Sequence, residues 1–233
     1  MKKSIFIIPL LAAMLSAVEA NAQFGIGAGY NFETMTTKAG NNKNSDNLNG
    51  FYVEASYGIN LAEGRWGSVA LVPGLRYSYF GDAEKQDGMF GFSTTASINE
   101  HYLDIPINVK YAFTVARPVK VFAYAGPVFS IGLDSYSRVS LSGNNKEYSV
   151  TYHNYSGKID TKGDETTGNI ATPGIKDYGR FDLKVGIGAG VTLFDMIDVK
   201  VGYNIGMLNR YRGEAENYRI GTNVFTAGVA FNF

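Results

Sequence analysis

From residue 24 onward this chain reads in steps of two. Phe24, Ile26, Ala28, Tyr30 and Phe32 alternate with Gly25, Gly27, Gly29, Asn31 and Glu33, and comparable alternation returns over 51–60, 68–79, 101–113, 119–132, 181–193, 197–207 and 225–233. Successive side chains of a strand point to opposite faces, so an apolar residue on every second step marks one strand with two chemically different faces. The run 119–132 is the least clean, because Phe122, Tyr124 and Val128 sit on the otherwise small or polar parity.

Charge tests that reading independently, since the parity was set by apolar residues alone. Glu33, Glu54, Arg76, Asp104, Lys110, Lys120, Asp182, Lys184, Asp198 and Lys200 all fall on the parity opposite the apolar one, and within these runs no Asp, Glu, Lys or Arg falls with the apolar set. A Lys or Arg facing lipid at the bilayer midplane costs about 2–4 kcal/mol, which would enforce this segregation in a barrel with an apolar outside and a polar inside. A soluble barrel would turn the apolar face inward, and the alternation alone does not distinguish the two. Aromatic residues near strand ends on the apolar face, Tyr30, Phe32, Tyr77, Tyr79, Tyr111, Phe113, Phe231 and Phe233, match the girdles of a membrane barrel and favour that reading.

The connections alternate in length. Those near 62–67, 114–118 and 194–198 are short, whereas 35–50, 81–99, 134–179 and 209–221 are long and polar. The expected fold is therefore all-β: an eight-stranded antiparallel up-and-down transmembrane β-barrel with short periplasmic turns and long extracellular loops. Within the third long segment, "YSRVSLSGNNKEYSVTYHNY" offers two β-prone runs around Gly143-Asn144-Asn145, a hairpin signal. Neither run carries a lipid-facing set of adequate length, so the hairpin is expected to continue the fifth strand above the membrane. The polar, glycine-rich segment after it is expected to lack regular structure.

The opening "MKKSIFIIPLLAAMLSAVEANAQ" has Lys2 and Lys3, an apolar stretch over 5–18 and Ala20-Asn21-Ala22 as a small-residue cleavage site. It reads as a secretory signal peptide, 1–22, leaving 23–233 as one barrel domain exported to the outer membrane. The chain has no cysteine, so neither a lipidated cysteine nor a disulfide is available. A formal net charge of zero argues against a nucleic-acid partner.

The elements "YLDIPINVKYAF", "AGPVFSIGL", "FDLKVGIGAGVTL" and "VGYNIGMLN", with a last strand ending in Phe233, resemble the PorT-type outer-membrane β-barrel family of Gram-negative bacteria. The run Tyr102 to Pro106, followed by Lys110 and Tyr111, is the most specific part. The resemblance implies a small barrel; the family's namesake is associated with a secretion system, most relatives have no assigned activity, and no catalytic residue is carried over. Phe231 and Phe233 also resemble the C-terminal signal by which barrels are recognised by the assembly machinery.

Chemistry-bearing motifs are sparse. "GIGAG" at 25–29 and 186–190 lacks the spacing of a dinucleotide turn and any helix after it. Inner-face glycines are expected instead to let strands curl and to make room for long charged side chains. His101 and His153 are the only histidines, with no cluster around either, so no metal, cofactor or catalytic group is expected. The sequence points to a non-enzymatic barrel with a structural or interaction role, accessory to secretion by resemblance, or alternatively to a narrow porin-like channel.

Eight lumen charges, Glu54, Arg76, Asp104, Lys110, Lys120, Asp182, Lys184 and Lys200, should pair into a plug, because eight strands enclose little more than their own side chains. Tyr136, Tyr148, Tyr152 and Tyr155 are the candidate loop contacts. Expected partners are outer-membrane lipid, the barrel-assembly machinery, and an extracellular protein or glycan or secretion-system components. Pro106 cannot donate to its neighbour's ladder, so a bulge or a missing bond is expected beside it.

Overall fold

The computed structural model describes residues 22–88, 93–143, 146–163 and 177–233. The expected leader therefore lies outside the described residues except for Ala22, as do Asn144 and Asn145 of the expected turn and 164–176 of the polar segment after it.

Ten strands are described: β1 (Ala22–Ala39), β2 (Asn42–Gly64), β3 (Gly67–Asp87), β4 (Ser93–Ala116), β5 (Val119–Gly143), β6 (Lys146–His153), β7 (Ile159–Lys162), β8 (Phe181–Leu193), β9 (Ile197–Gly206) and β10 (Tyr218–Asn232). They pair antiparallel in the order β4-β3-β2-β1-β10-β9-β8-β5, and a β4–β5 pairing closes the ring. Eight strands thus make the barrel, as the alternation indicates. The other two add to the upper half of β5 as a flange: β6 is the second run of the expected hairpin, whereas β7 pairs with β6 from within the polar, glycine-rich segment expected to lack regular structure, because a polar strand can pair at a free edge outside lipid.

Which face is inside is settled by exposure. Ile26, Phe51, Val53, Val109, Ile187, Val201 and Val229 are about half exposed on the outer wall, whereas Glu54, Arg76, Asp104, Asp182 and Lys184 are buried within. A continuous apolar belt of this extent is what lipid would cover. At its outer edge Phe51 packs on Tyr79 with centroids 5.4 Å apart, and at its inner edge the Tyr111 hydroxyl donates to the Trp66 carbonyl at 2.6 Å.

Two of the expected long loops are not loops. Strand β1 runs into β2 through a tight turn at Gly40, whose φ of +57° is the left-handed conformation that glycine adopts without strain. Residues 81–87 and 93–99 likewise remain paired as continuations of β3 and β4. At about 3.4 Å per residue the 25 residues of β5 extend roughly 85 Å, about twice a tilted membrane crossing. Outside lipid both faces of a hairpin can be polar, so pairing persists where hydropathic alternation stops.

Pro106 opens the ladder without a bulge. Pairing of β3 with β4 skips from Pro73–Ile107 to Arg76–Asp104, and that of β4 with β5 skips from Pro106–Val128 to Val109–Ala125, the register being unchanged across both gaps. Pro73, Pro106 and Pro127 cluster here on three adjacent strands, and each removes a donor. Gly126 lets the strands close around the gap: a Cβ there would lie 2.0 Å from the Ile107 carbonyl oxygen. The register of this pair slips in two other places: higher up, where Leu133 is the extra residue between His101–Asp134 and Tyr102–Gly132, and at the periplasmic end, between Thr114–Lys120 and Ala116–Val119.

Candidate functional site

The barrel interior has two storeys. In the periplasmic half, facing β2 and β3 put Glu54 opposite Arg76, and the guanidinium donates to one carboxylate oxygen from Nε at 3.0 Å and Nη2 at 2.7 Å. Lys200 from β9 donates across the lumen to the other oxygen of Glu54. Lys110 reaches Asp198 at 2.7 Å, whose second oxygen accepts from Thr192 at 2.5 Å. These groups line a polar cavity of about 170 Å³ that also reaches Lys120 near the β8–β9 turn. Lys120 takes the lumen parity but pairs with Asp195 at 2.7 Å, both half exposed, so it belongs to the periplasmic mouth rather than to the packed interior.

Between the storeys, Asp104 accepts from Ser78 at 2.8 Å and Ser130 at 2.5 Å, and Asp182 accepts from Thr222 at 3.1 Å. Lys184 lies over the Tyr102 ring at 5.3 Å. The inner glycines serve aromatic rings more than charged chains: a Cβ at Gly188 would sit 2.3 Å from Tyr124, and one at Gly190 2.4 Å from Phe122. Those rings are the same residues that blur the alternation of β5. They point inward because the glycines opposite leave space.

The extracellular half is closed by a group that sequence reasoning did not single out. Arg210, in the connection between β9 and β10, is fully buried and points down into the mouth. Its Nη1 donates to the hydroxyls of Tyr102 and, at 2.7 Å, Tyr178; Nη2 donates to Tyr155 at 3.0 Å and to the Gly179 carbonyl at 2.9 Å. The guanidinium also lies over the Tyr178 ring at 4.1 Å. Tyr102 donates in turn to Glu100, which accepts from Ser135 at 2.9 Å. Glu33 is fully buried, with no hydrogen-bond partner for its carboxylate among the described residues. Phe80, Tyr102, Leu48 and Val224 pack beneath this cap. Burial pushes the Tyr178 phenol well above its usual range and that of Tyr155 up to about 12, so both stay protonated hydroxyls beside Arg210.

Glu100 was legible in principle, two steps before Tyr102 on the same parity. Arg210 was not, because nothing local distinguishes it from other polar loop residues.

The four candidate loop tyrosines separate. Tyr155 stacks on Tyr178 at 5.6 Å and belongs to the cap. Tyr136 is on the outer face, between His101 and His153. Tyr148 and Tyr152 alternate with Ser149, Thr151 and His153 and so take the opposite face of β6. His101 and Asp104 diverge as their parities require: His101 accepts or donates to the Tyr77 hydroxyl at 2.7 Å outside, and Asp104 is inside. At the periplasmic end Phe231 and Phe233 pack edge-on at 4.9 Å, and the Phe233 amide donates to Phe24 at 2.8 Å.

The family model described as outer membrane protein beta-barrel domain matches residues 15–212. Among solved structures, the chain is similar to Ail, the attachment invasion locus protein of Yersinia pestis, at 10% identity and TM-score 0.40, covering 91% of this chain and 99% of Ail. It is similar to Neisserial surface protein A at 14% identity and TM-score 0.41, covering 90% and 97% of the two chains. It is also similar to the outer membrane protease OmpT of Escherichia coli at 10% identity and TM-score 0.41, covering 93% and 98%. No curated protein matches the chain significantly.

These neighbours correct the expectation of a non-enzymatic barrel. OmpT is a protease, and PagL, similar at 13% identity and TM-score 0.35, is an outer membrane enzyme. The match is to the broad family and does not reach the PorT-type branch. With a family model spanning most of its length, a ring of eight antiparallel strands and an apolar outer wall, this chain belongs to the outer membrane protein β-barrel domain family and resides in the outer membrane.

Proposed function

We propose that this barrel works from its extracellular face, presenting the β5–β6–β7 flange to a protein or glycan while its lumen stays closed. The observation that carries the reading is the Arg210 cap, in which a fully buried guanidinium, three phenols and a carboxylate fill the outer mouth. Ion pairs across the periplasmic half add a second obstruction. A scaffold so filled leaves function to what projects from it. Planar-bilayer recording of the refolded protein tests this: wild type should add no stepwise current to the bare membrane. A steady conductance of the kind a narrow porin gives would overturn the reading in favour of a solute channel.

A finer reading places the protein beside a protein-export apparatus. It is supported by the resemblance of Tyr102–Pro106 to PorT-type barrels, and Tyr102 is also the residue on which the cap closes. Deleting the gene and comparing secreted proteins in the medium tests it, an unchanged set counting against an export role.

A further inference from the structure

The bulge at Leu133 changes what β5 shows to the outside. Below it Phe129 and Ile131 face outward, and above it Asp134, Tyr136 and Arg138 do. On this outer face Tyr136 lies opposite His153, Arg138 opposite Thr151, and Thr151 opposite Asp160, while Ser149 lies opposite Lys162. The three strands border a half-open cavity of about 480 Å³ with Ser149 and Thr151 in its wall, each only 9% exposed. Arg138 Nε donates to Thr151 at 3.0 Å, and His153 Nε2 lies 3.1 Å from Asp160. The volume is that of a ligand pocket, within the usual range of about 300–1,000 Å³.

The pocket's position follows from a ladder of rings on the same face. Tyr79 contacts His101 at 5.1 Å, His101 contacts Tyr136 at 6.4 Å, and Tyr136 contacts His153 at 6.2 Å. Tyr79 stands in the outer aromatic girdle, where lipid chains give way to headgroups. Asp134 pairs with His101 itself, so the cavity opens directly above the girdle and outward over the outer leaflet, not into the lumen. The headgroup layer is about 5–8 Å deep on each side of the hydrocarbon core, the height at which residues 134–138 begin.

The lining decides the chemistry. Three carboxylates, Asp134, Glu147 and Asp160, face two permanent cations, Arg138 and Lys162, with hydroxyls between them. An anionic phosphate would want an excess of cations, and the described residues hold no cluster of three or more His, Cys, Asp or Glu side chains arranged for a metal ion. A sugar ring carries hydroxyls that both donate and accept, and this mixed wall with Tyr136 at its edge suits such a ring. We infer that the flange cavity binds the saccharide headgroup of an outer-leaflet glycolipid. This rests on the extracellular-face reading and gives that face a ligand class.

The two histidines are the only ones in the chain, so their imidazole resonances report the site directly. The full-length protein in phospholipid nanodiscs is titrated with the soluble core oligosaccharide released from rough-type lipopolysaccharide by mild acid and then dephosphorylated. His153 should shift saturably and more than His101, and Arg138→Ala or Lys162→Ala should weaken binding at least tenfold. Nanodiscs that already contain intact lipopolysaccharide should show His153 at its saturated position. A silent His153, an equal shift with inorganic phosphate, or binding unchanged in both variants would each overturn the site. A response to free oligosaccharide without one to the intact glycolipid would overturn the assigned source. Heat-dependent gel mobility confirms that each variant is folded, and bilayer conductance of the same preparation tests the closed lumen separately.

Discussion

Replacing Arg210 by alanine should loosen the outer mouth and lower the stability of the whole barrel. The side chain is fully buried, and its truncation leaves the Gly179 carbonyl and the hydroxyls of Tyr102, Tyr155 and Tyr178 without their donor. An acceptor stranded in this way costs about 1–3 kcal/mol, but hydroxyls can turn to one another and water can enter from outside. Losing the charge also leaves the nearby Glu100 carboxylate less compensated. Removing one partner from a buried charged network typically costs about 3–5 kcal/mol, and we take that as the expected loss. With a urea slope of about 2 kcal/mol/M, the unfolding midpoint should fall by roughly 2 M. Trp66, the only tryptophan, sits exposed at the β2–β3 turn and reports unfolding from phospholipid vesicles by fluorescence. Arg210→Lys separates geometry from charge, because an ammonium cannot reproduce the fork that spans two phenols and a carbonyl. If lysine restored the wild-type midpoint, or if alanine moved it by less than about 0.5 M, the cap would not be held in the way described.

Three other outcomes follow from the same interior. Lys110→Ala should cost about 1–3 kcal/mol in the same urea assay, less than a fully buried pair because the ammonium keeps some exposure, and should leave bilayer conductance unchanged; a stable variant with much larger current would refute the plug. Gly126→Ala should abolish the heat-shifted folded band, since its Cβ would meet the Ile107 carbonyl oxygen at 2.0 Å where the ladder is already open; wild-type folding would show that the strands are not so close. In an ultraviolet titration, Tyr155 should ionise near pH 12 rather than with the exposed tyrosines near 10. Because the fold raises this pKa, its contribution to stability is complete below about pH 10 and is lost as pH rises through about 12; ionisation of every tyrosine below pH 11 in the folded protein would contradict the cap.

Legibility followed the solvent. Where lipid is on one side and a narrow polar interior on the other, Val53 and Glu54 or Ile187 and Lys184 cannot exchange parities without large cost, so eight strands and nearly all lumen charges could be read from alternation. Beyond the girdle no such penalty operates. Strands β1 to β4 continue there with polar residues on both faces, and their sequences look like loops although their backbones remain paired. The cap was hidden for a different reason: it joins Glu33 and Glu100 to Tyr155, Tyr178 and Arg210 from separate connections, and only closure of the ring brings them together.

Two irregularities of β4 and β5, at Pro106 and at Leu133, divide the labour between those regimes. At Pro106 three prolines remove ladder donors, yet the register holds, so the residues below it as far as Thr114–Lys120 keep their lipid or lumen assignment and the Glu54 and Asp198 networks stay in line. At Leu133 the ladder is nearly complete, yet the register slips by one, and every later residue of β5 changes face. Without that slip Ser135 would point outward instead of to Glu100, and Asp134 and Arg138 would be driven into the mouth beside Arg210. Arg138 would then bring a second guanidinium toward Arg210 in the space that the cap now fills. One inserted residue therefore both completes the plug and exposes the polar cavity, and the membrane tolerates it because it lies at the girdle, above the level where an outward charge meets hydrocarbon.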